Sequence, residues 1–209
     1  PYFNYSRFDN ENRAIPTIVS NNTAKFEIKN KLSLIQNAFV KTGFELNVQA
    51  GDATVNSGNF NAGPIAFNAF AGTNLTFLFG GGYTPQIDFL VEESASISIN
   101  SGAGWTFNSL GSITVDQSGI FSTGSGGDIT MNGSSTIVNN GSINVNGDLI
   151  LENSGATTAL DNVCSNSYIT VVGNMRFQGG LSVTNNGFID SGTLTINSGS
   201  QTIINAGAG

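Results

Sequence analysis

The sequence predicts an all-β chain wound as a parallel β-helix, a solenoid with a Phe-rich, less regular N-terminal part. Three observations lead there. A short unit, apolar-x-apolar followed by Asn, Gly or Ser, recurs through the C-terminal half: ISI (97–99), ITV (113–115), ITM (129–131), INV (143–145), LIL (149–151), ITV (169–171), LSV (181–183), LTI (194–196) and TII (202–204). A spacing of two puts both apolar side chains on one strand face and the Thr, Ser or Asn between them on the other. The apolar members are largely Ile and Val, β-branched side chains that stack well on a pleated surface. Turn signals then follow almost every unit: Asn132-Gly133, Asn140-Gly141, Asn146-Gly147, Ser154-Gly155, Asn186-Gly187 and Ser198-Gly199. Gly and Asn tolerate φ > 0 and mark tight corners. An antiparallel hairpin stack, sandwich or barrel is the alternative, because Asn-Gly also favours type I′ hairpins.

Taken in order, residues 1–95 form the Phe-rich part, either early coils of the same solenoid or a cap over its first coil. Segments Lys25–Lys29 and Phe44–Val48 alternate as strands. Leu32–Val40 is the one segment that reads as a short helix, and Gly80-Gly81-Gly82 reads as a loop. No Gly-Lys-Ser/Thr follows those glycines, so they do not form a phosphate loop. Residues 96–209 are the Gly/Asn/Ser/Thr-rich repeats, with unequal spacing that places loops of differing length at the corners. At about 20 residues per coil and about 4.8 Å between strands, the whole chain would make roughly ten coils and a rod on the order of 50 Å. Asn and Ser at corners are expected to hydrogen-bond to the next coil. The last residues, Asn205–Gly209, keep the repeating texture without a closing element, and further chain is expected beyond them. Pro1 opens the chain without a basic-then-apolar leader, so a leader removed earlier or an excised piece is expected.

Composition excludes much chemistry. The 209 residues contain no His, which removes Ser-His, Cys-His and His-metal mechanisms. A single cysteine, Cys164, excludes an internal disulfide and a Cys-cluster metal site. Charged residues make up only 10%, against about a quarter in an ordinary globular domain, so neutral polar groups must carry the surface. Net charge is −7 and unevenly spread. Residues 1–41 hold six of the seven cations against three carboxylates; beyond them Arg176 alone faces eleven carboxylates. That acidic body disfavours nucleic acid and anionic lipid as partners. No apolar run reaches the ~18 residues of a membrane span.

Carboxylate catalysis is the mechanism that composition leaves open. Asp116, Asp128, Asp148 and Asp190 lie beside repeat strands, and Glu92 and Glu93 are adjacent. Two carboxylates about 5–9 Å apart across a cleft would serve glycoside hydrolysis. Isolated Asp residues are more simply turn formers at corners, and no catalytic, cofactor-binding or metal-ligating residue is assigned. Gly124-Ser125-Gly126-Gly127-Asp128-Ile129 only faintly matches a calcium β-roll nonapeptide; it reads as a corner loop, with an adventitious calcium ion possible. Outward Ser98, Thr114, Thr130, Ser182, Thr184, Thr193 and Thr195 raise ice binding, although they mix with Asn, Ser and Tyr168. Cys164 has no His or Lys nearby to lower its pKa and reads as an idle thiol. Trp105 could stack on a sugar ring but reads as core. Asn-x-Ser/Thr at Asn4, Asn21, Asn74, Asn132 and Asn140 is expected by chance in so Asn-rich a chain.

Stretches such as Gly111-Ser-Ile-Thr-Val-Asp-Gln-Ser-Gly119 and Gly192-Thr-Leu-Thr-Ile-Asn-Ser-Gly199 resemble the large Gly/Asn/Ser/Thr-rich β-helical adhesins of the filamentous-haemagglutinin-like kind. The texture is similar to that of the big secreted adhesins of Bacteroidota, including those used in gliding motility, over about residues 95–209. The resemblance implies export through dedicated secretion machinery and a secreted or cell-surface location. The expectation is then a structural and adhesive module, not an enzyme. It would be a rigid spacer or a weak multivalent binder of surfaces or polysaccharide, or would contact other parts of a longer chain. The alternatives are a polysaccharide-processing β-helix enzyme and an ice-binding solenoid.

Overall fold

A computed structural model describes residues 24–28, 31–35, 44–48, 52–56, 65–77, 87–99, 105–108, 111–152, 158–197 and 201–205. All of the described secondary structure is β, and every strand pairing is parallel. The early coils contribute β1 (Ala24–Ile28), β2 (Lys31–Ile35), β3 (Phe44–Val48), β4 (Asp52–Asn56), β5 (Ile65–Ala69) and β6 (Asn74–Phe77). Then come β7 (Ile87–Val91), β8 (Ser96–Ile99), β9 (Trp105–Asn108), β10 (Ser112–Val115), β11 (Ile120–Thr123) and β12 (Ile129–Asn132). The next coils hold β13 (Thr136–Asn139), β14 (Ser142–Val145), β15 (Leu149–Glu152), β16 (Thr158–Asn162) and the long β17 (Tyr168–Gln178). The last described are β18 (Leu181–Asn185), β19 (Phe188–Ile196) and β20 (Gln201–Asn205).

These strands stack in three ranks, one per face. The first runs β1-β3-β5-β7-β10-β13-β16-β18-β20. The second runs β2-β4-β6-β8-β11-β14 and continues into the first half of β17; the third runs β9-β12-β15 into its second half. β17 and β19 each bend from the second face to the third, with a register shift between Val171 and Asn174. The expected solenoid is therefore present, and the hairpin and sandwich alternatives are not: the Asn-Gly dipeptides turn corners between parallel strands.

The repeat is more even than the spacing of the apolar units suggests. On the first face the register pairs Asp88 with Ser112, Ser112 with Thr136, Thr136 with Ala159 and Ala159 with Ser182, steps of 24, 24, 23 and 23 residues. Nine strands make eight such steps, about 38 Å of rod at about 4.8 Å each. The ten-coil expectation counted the whole chain, including residues outside those described.

Stacking in register turns each inward position into a column. On the first face Phe67, Phe89, Ile113, Ile137, Leu160 and Val183 lie one above another, all buried. On the second, Leu75, Ile97, Phe121, Ile143 and Ile169 do the same. The Phe-rich coils meet the others at a ring cluster. Phe67 stacks on Phe89 at 5.5 Å, Phe77 sets its edge against both at 4.9 and 5.7 Å, and Phe89 contacts Phe121 at 5.3 Å. Burying each such ring contributes about 1.5–3 kcal/mol, and one first-face column passes from Phe to Ile without a break. Leu194 and Ile196 of β19 point inward in the third rank yet are 52% and 50% exposed, because no described strand lies over them.

Leu32–Val40 is not a helix where it is described. Lys31–Ile35 is β2, paired in parallel register with β4. The period-two placement of Leu32 and Leu34 suits a strand, and the isolated apolar run carried no helix cap. Residues 36–40 and the Gly80–Gly82 loop lie outside the described residues.

The corner glycines also work differently from the expectation. Positive φ occurs at Gly72, Gly126, Gly133 and Gly179, and at Ser94 and Ser118, but not at Gly141. A Cβ on Gly141 would sit 2.4 Å from the Gly119 carbonyl oxygen and 2.5 Å from that of Asp116, both in the coil beneath. Glycine there permits the close approach of two backbones. At Gly126 a Cβ would meet open space, and only the φ of 71° is unfavourable to other residues. Gly141→Ala should therefore cost about 3 kcal/mol or more by overpacking against backbone, and Gly126→Ala about 1 kcal/mol. Thermal unfolding of the two variants checks this; equal midpoints would contradict the close-approach account.

Candidate functional site

Gly127-Asp128-Ile129, Gly147-Asp148-Leu149 and Gly173-Asn174-Met175 occupy the same corner in successive coils, just before the third face. Asp128 Oδ1 accepts the Asp148 backbone N–H at 2.7 Å. Asp148 Oδ1 accepts the Asn174 backbone N–H at 2.8 Å and its side-chain Nδ2–H at 3.2 Å. Each carboxylate thus caps a corner amide one coil on, where the ladder leaves it without a strand partner. The preceding glycines leave room, since a Cβ on Gly147 or Gly173 would fall 2.3 Å from the carboxylate oxygen of Asp128 or Asp148. Arg176 Nη2 lies 3.3 Å from Asp148 Oδ2.

The hydrogen bond from the Asn174 backbone holds the Asp148 carboxyl below its ordinary value; partial burial opposes this, and the Asn174 side chain and Arg176 reinforce it. A carboxyl held ionised is a poor general acid. Of the four aspartates singled out by sequence, the structure brings Asp128 and Asp148 together, and both serve the backbone. Asp116 sits at the corner between the first and second faces, where its backbone carbonyl accepts Gly119 N–H. Asp190 stands in β19, in register with Thr170. Glu92 Oε2 accepts the Ala71 N–H at 3.1 Å, while Glu93 is exposed in the adjoining turn.

The Gly124–Asp128 loop closes on itself. Gly127 N–H donates to the Gly124 carbonyl at 2.9 Å, Thr123 Oγ1–H to the Gly127 carbonyl at 2.8 Å, and Gly126 N–H to Asn146 O at 3.0 Å. Among the described residues no three carboxylate or thiol side chains come together as a metal set would require. Cys164 is half-buried at a corner, its thiol 3.4 Å from Asn140 Oδ1. The Trp105 side chain lies outside the described residues, although its backbone pairs with Ile129.

The second face carries an outward column of small neutral groups. There the register aligns Thr76, Ser98, Ser122, Asn144 and Thr170. Ser98 and Ser122 hydroxyls are 3.1 Å apart, and Ser96 donates to Asn74 at 2.7 Å. The threonines do not form a flat array. Thr114 lies between Leu90 and Val138, Thr184 between Asp161 and Ile204, and Thr195 beside Arg176. Among the described residues, no column has Thr in three successive coils.

Two features escaped sequence reasoning. At the end of the first-face strands Asn139, Asn162 and Asn185 replace the apolar column of Val91 and Val115. Asn139 Nδ2 donates to Asn162 Oδ1 at 2.8 Å, and Asn162 Nδ2 to Asn185 Oδ1 at 2.7 Å. The second amide hydrogens go to the carbonyls of Tyr168 and Phe188, at 3.0 and 3.2 Å. Both Asn139 and Asn162 are fully buried, and this network satisfies them. The second feature is the pair that those carbonyls belong to: Tyr168 and Phe188, outward on the second face, stack at 5.0 Å with planes 10° apart. The available signal was an aromatic directly before an inward Ile in Tyr168-Ile169 and Phe188-Ile189, 20 residues apart, one coil.

No family model matches the chain, and comparison with curated proteins and with solved structures also finds no match.

Asp148 yields a pH prediction. Its carboxyl is held below its unfolded value, so the stabilisation is present above that unfolded value and is lost as pH falls through the folded one. Asp148→Asn keeps an acceptor for Asn174 and removes the charge. The thermal midpoint of wild type should exceed that of Asp148→Asn at neutral pH, with the gap closing on acidification below the carboxylate range. A gap that is unchanged or widens in acid would contradict the assignment.

Proposed function

We propose that this chain is a structural and adhesive module of a secreted or cell-surface bacterial protein, of the filamentous-haemagglutinin-like, Bacteroidota-like kind that its sequence texture resembles. The observation that carries the reading is the parallel stack with, on its second face, an outward column of neutral hydroxyl and amide groups, Thr76, Ser98, Ser122, Asn144 and Thr170, repeated coil after coil. A stack tied by backbone hydrogen bonds along its whole length is a stiff spacer. Regularly spaced weak hydrogen-bonding groups suit a repeating partner such as polysaccharide, where many small contacts act together. Export machinery and a role in surface attachment or gliding follow from the resemblance and form part of the proposal. A non-enzymatic role is supported by the employment of Asp128 and Asp148 in capping backbone amides.

Binding measured at two valencies tests this. The monomeric chain should bind cells, glycans or solid surfaces weakly, and display of many copies on a bead should raise retention on the order of 10²-fold or more. Absence of binding in both formats would overturn the adhesive reading. Cleavage of a polysaccharide, abolished by neutralising a carboxylate, would replace it with the enzymatic one.

A further inference from the structure

Among the described residues, Tyr168 and Phe188 are the aromatic side chains that stand outward with about half their surface in water, 48% and 47%; part of the Phe188 exposure, like that of Leu194 and Ile196 in the same strand, arises because no described strand lies over β19. Phe67, Phe77, Phe89, Phe121 and Phe177 are all buried in the core. The two outward rings are nearly parallel, with centroids 5.0 Å apart. Carbon atoms in contact lie about 3.5–4.0 Å apart, so that separation requires a sideways slip of roughly 3 Å. A slipped pair leaves part of a ring face uncovered.

The surroundings of the pair have a definite chemistry. Along β17 the outward positions after Tyr168 are Thr170 and then Val172, which is 64% exposed. Beside Thr170 in register stands Asp190 of β19. The surface therefore reads aromatic, then hydroxyl and carboxylate, and ends on aliphatic Val172 at the bend toward the third face, about 13 Å of chain at about 3.3 Å per residue. That length fits two to three sugar rings. The backbone beneath is fixed: buried Asn139 and Asn162 donate to the Tyr168 and Phe188 carbonyls, and the Tyr168 and Phe188 amides donate to Gly141 O and Ser167 O, each at 2.9 Å. A surface held this way loses little conformational freedom on binding.

We propose that Tyr168 and Phe188 form a stacking platform for a neutral polysaccharide, with Thr170 and Asp190 hydrogen-bonding its hydroxyls and Val172 contacting a further ring. This inference rests on the adhesive reading and names a subsite for it. The C–H face of a pyranose meets an aromatic face, and its equatorial hydroxyls meet the adjacent polar pair. Electrostatics selects the class. The body beyond Lys41 carries ten net negative charges (one cation against eleven carboxylates), and Asp190 sits in the patch, so an uncharged glycan is accepted and an anionic one repelled.

The test is retention of the full chain on insoluble cellulose, xylan and chitin, compared with a polyanionic pectate gel. Wild type should be retained on at least one neutral glycan and not on pectate. Tyr168→Thr with Phe188→Ser should weaken that retention about tenfold or more, with an unchanged circular dichroism spectrum. Ile120→Ser, which removes another exposed apolar side chain on the same face, should leave retention intact. Phe188→Trp keeps an aromatic face and should bind at least as well as wild type, which supplies a folded comparison should the double variant misfold. Retention of the double variant equal to wild type, or loss of binding in Phe188→Trp, would overturn the platform while leaving adhesion elsewhere on the rod intact. Retention only on octyl beads, or self-association abolished by the double variant, would assign the pair to a general apolar contact or to a second copy and overturn the glycan proposal. Absence of binding to any glycan, cell or surface would remove both the platform and the adhesive reading.

Discussion

Everything in this molecule depends on parallel, in-register stacking of one coil on the next. A strand of four or five residues contributes two or three inward side chains, too few to hold a structure alone. Stacked, those side chains become columns, and a position in one coil is supported by its equivalent above and below. Backbone amides at the corners obey the same rule: Glu92, Asp116, Asn140, Val163 and Asn186 each donate to the last strand carbonyl of the preceding coil. The corner glycines, the capping aspartates and the buried asparagines all act at this coil-to-coil spacing.

The asparagine column shows how that spacing couples interior to surface. Each buried amide has one acceptor and two donor hydrogens. Asn162 accepts from Asn139 and from the Ser167 hydroxyl, and donates to Asn185 and to the Phe188 carbonyl. Leaving one of these groups unpaired in the interior would cost about 1–3 kcal/mol, so the column demands a fixed backbone where the second-face strands β17 and β19 begin. The outward rings of Tyr168 and Phe188 stand on that fixed backbone. An internal stabilising network thereby holds in place the backbone under the outward aromatic pair, Tyr168 and Phe188.

The solenoid was legible because its inward pattern is local. Ile113-x-Val115, Ile143-x-Val145 and Leu149-x-Leu151 announce their parity within three residues, and each is buried as the parity requires. The evenness of the coil was hidden because the apolar units belong to three faces. Residues 97, 143 and 169 lie on the second, 113 and 181 on the first, and 129, 149 and 194 on the third. Read as one series they look irregular; sorted by face they fall one, two or three coils apart. The Asn column was missed for a related reason: Asn139, Asn162 and Asn185 are 23 residues apart, and each looks locally like a turn residue. Gly141 was recognised as a corner residue, but its physical reason, contact with a backbone 22 residues earlier, is invisible to local reading.

In-register stacking is most directly tested by covalent capture. In a Cys164→Ser background, Thr114→Cys with Val138→Cys places thiols on outward register partners one coil apart. Adjacent strands lie about 4.8 Å apart, within the Cα separation a disulfide spans. Thr114→Cys with Thr136→Cys shifts the pair by two residues on the same face, to about 8 Å, beyond that span. Mild oxidation should close an intramolecular disulfide in the first pair and leave the second reduced. Closure of the shifted pair, or of neither, would contradict the stacking on which the account rests.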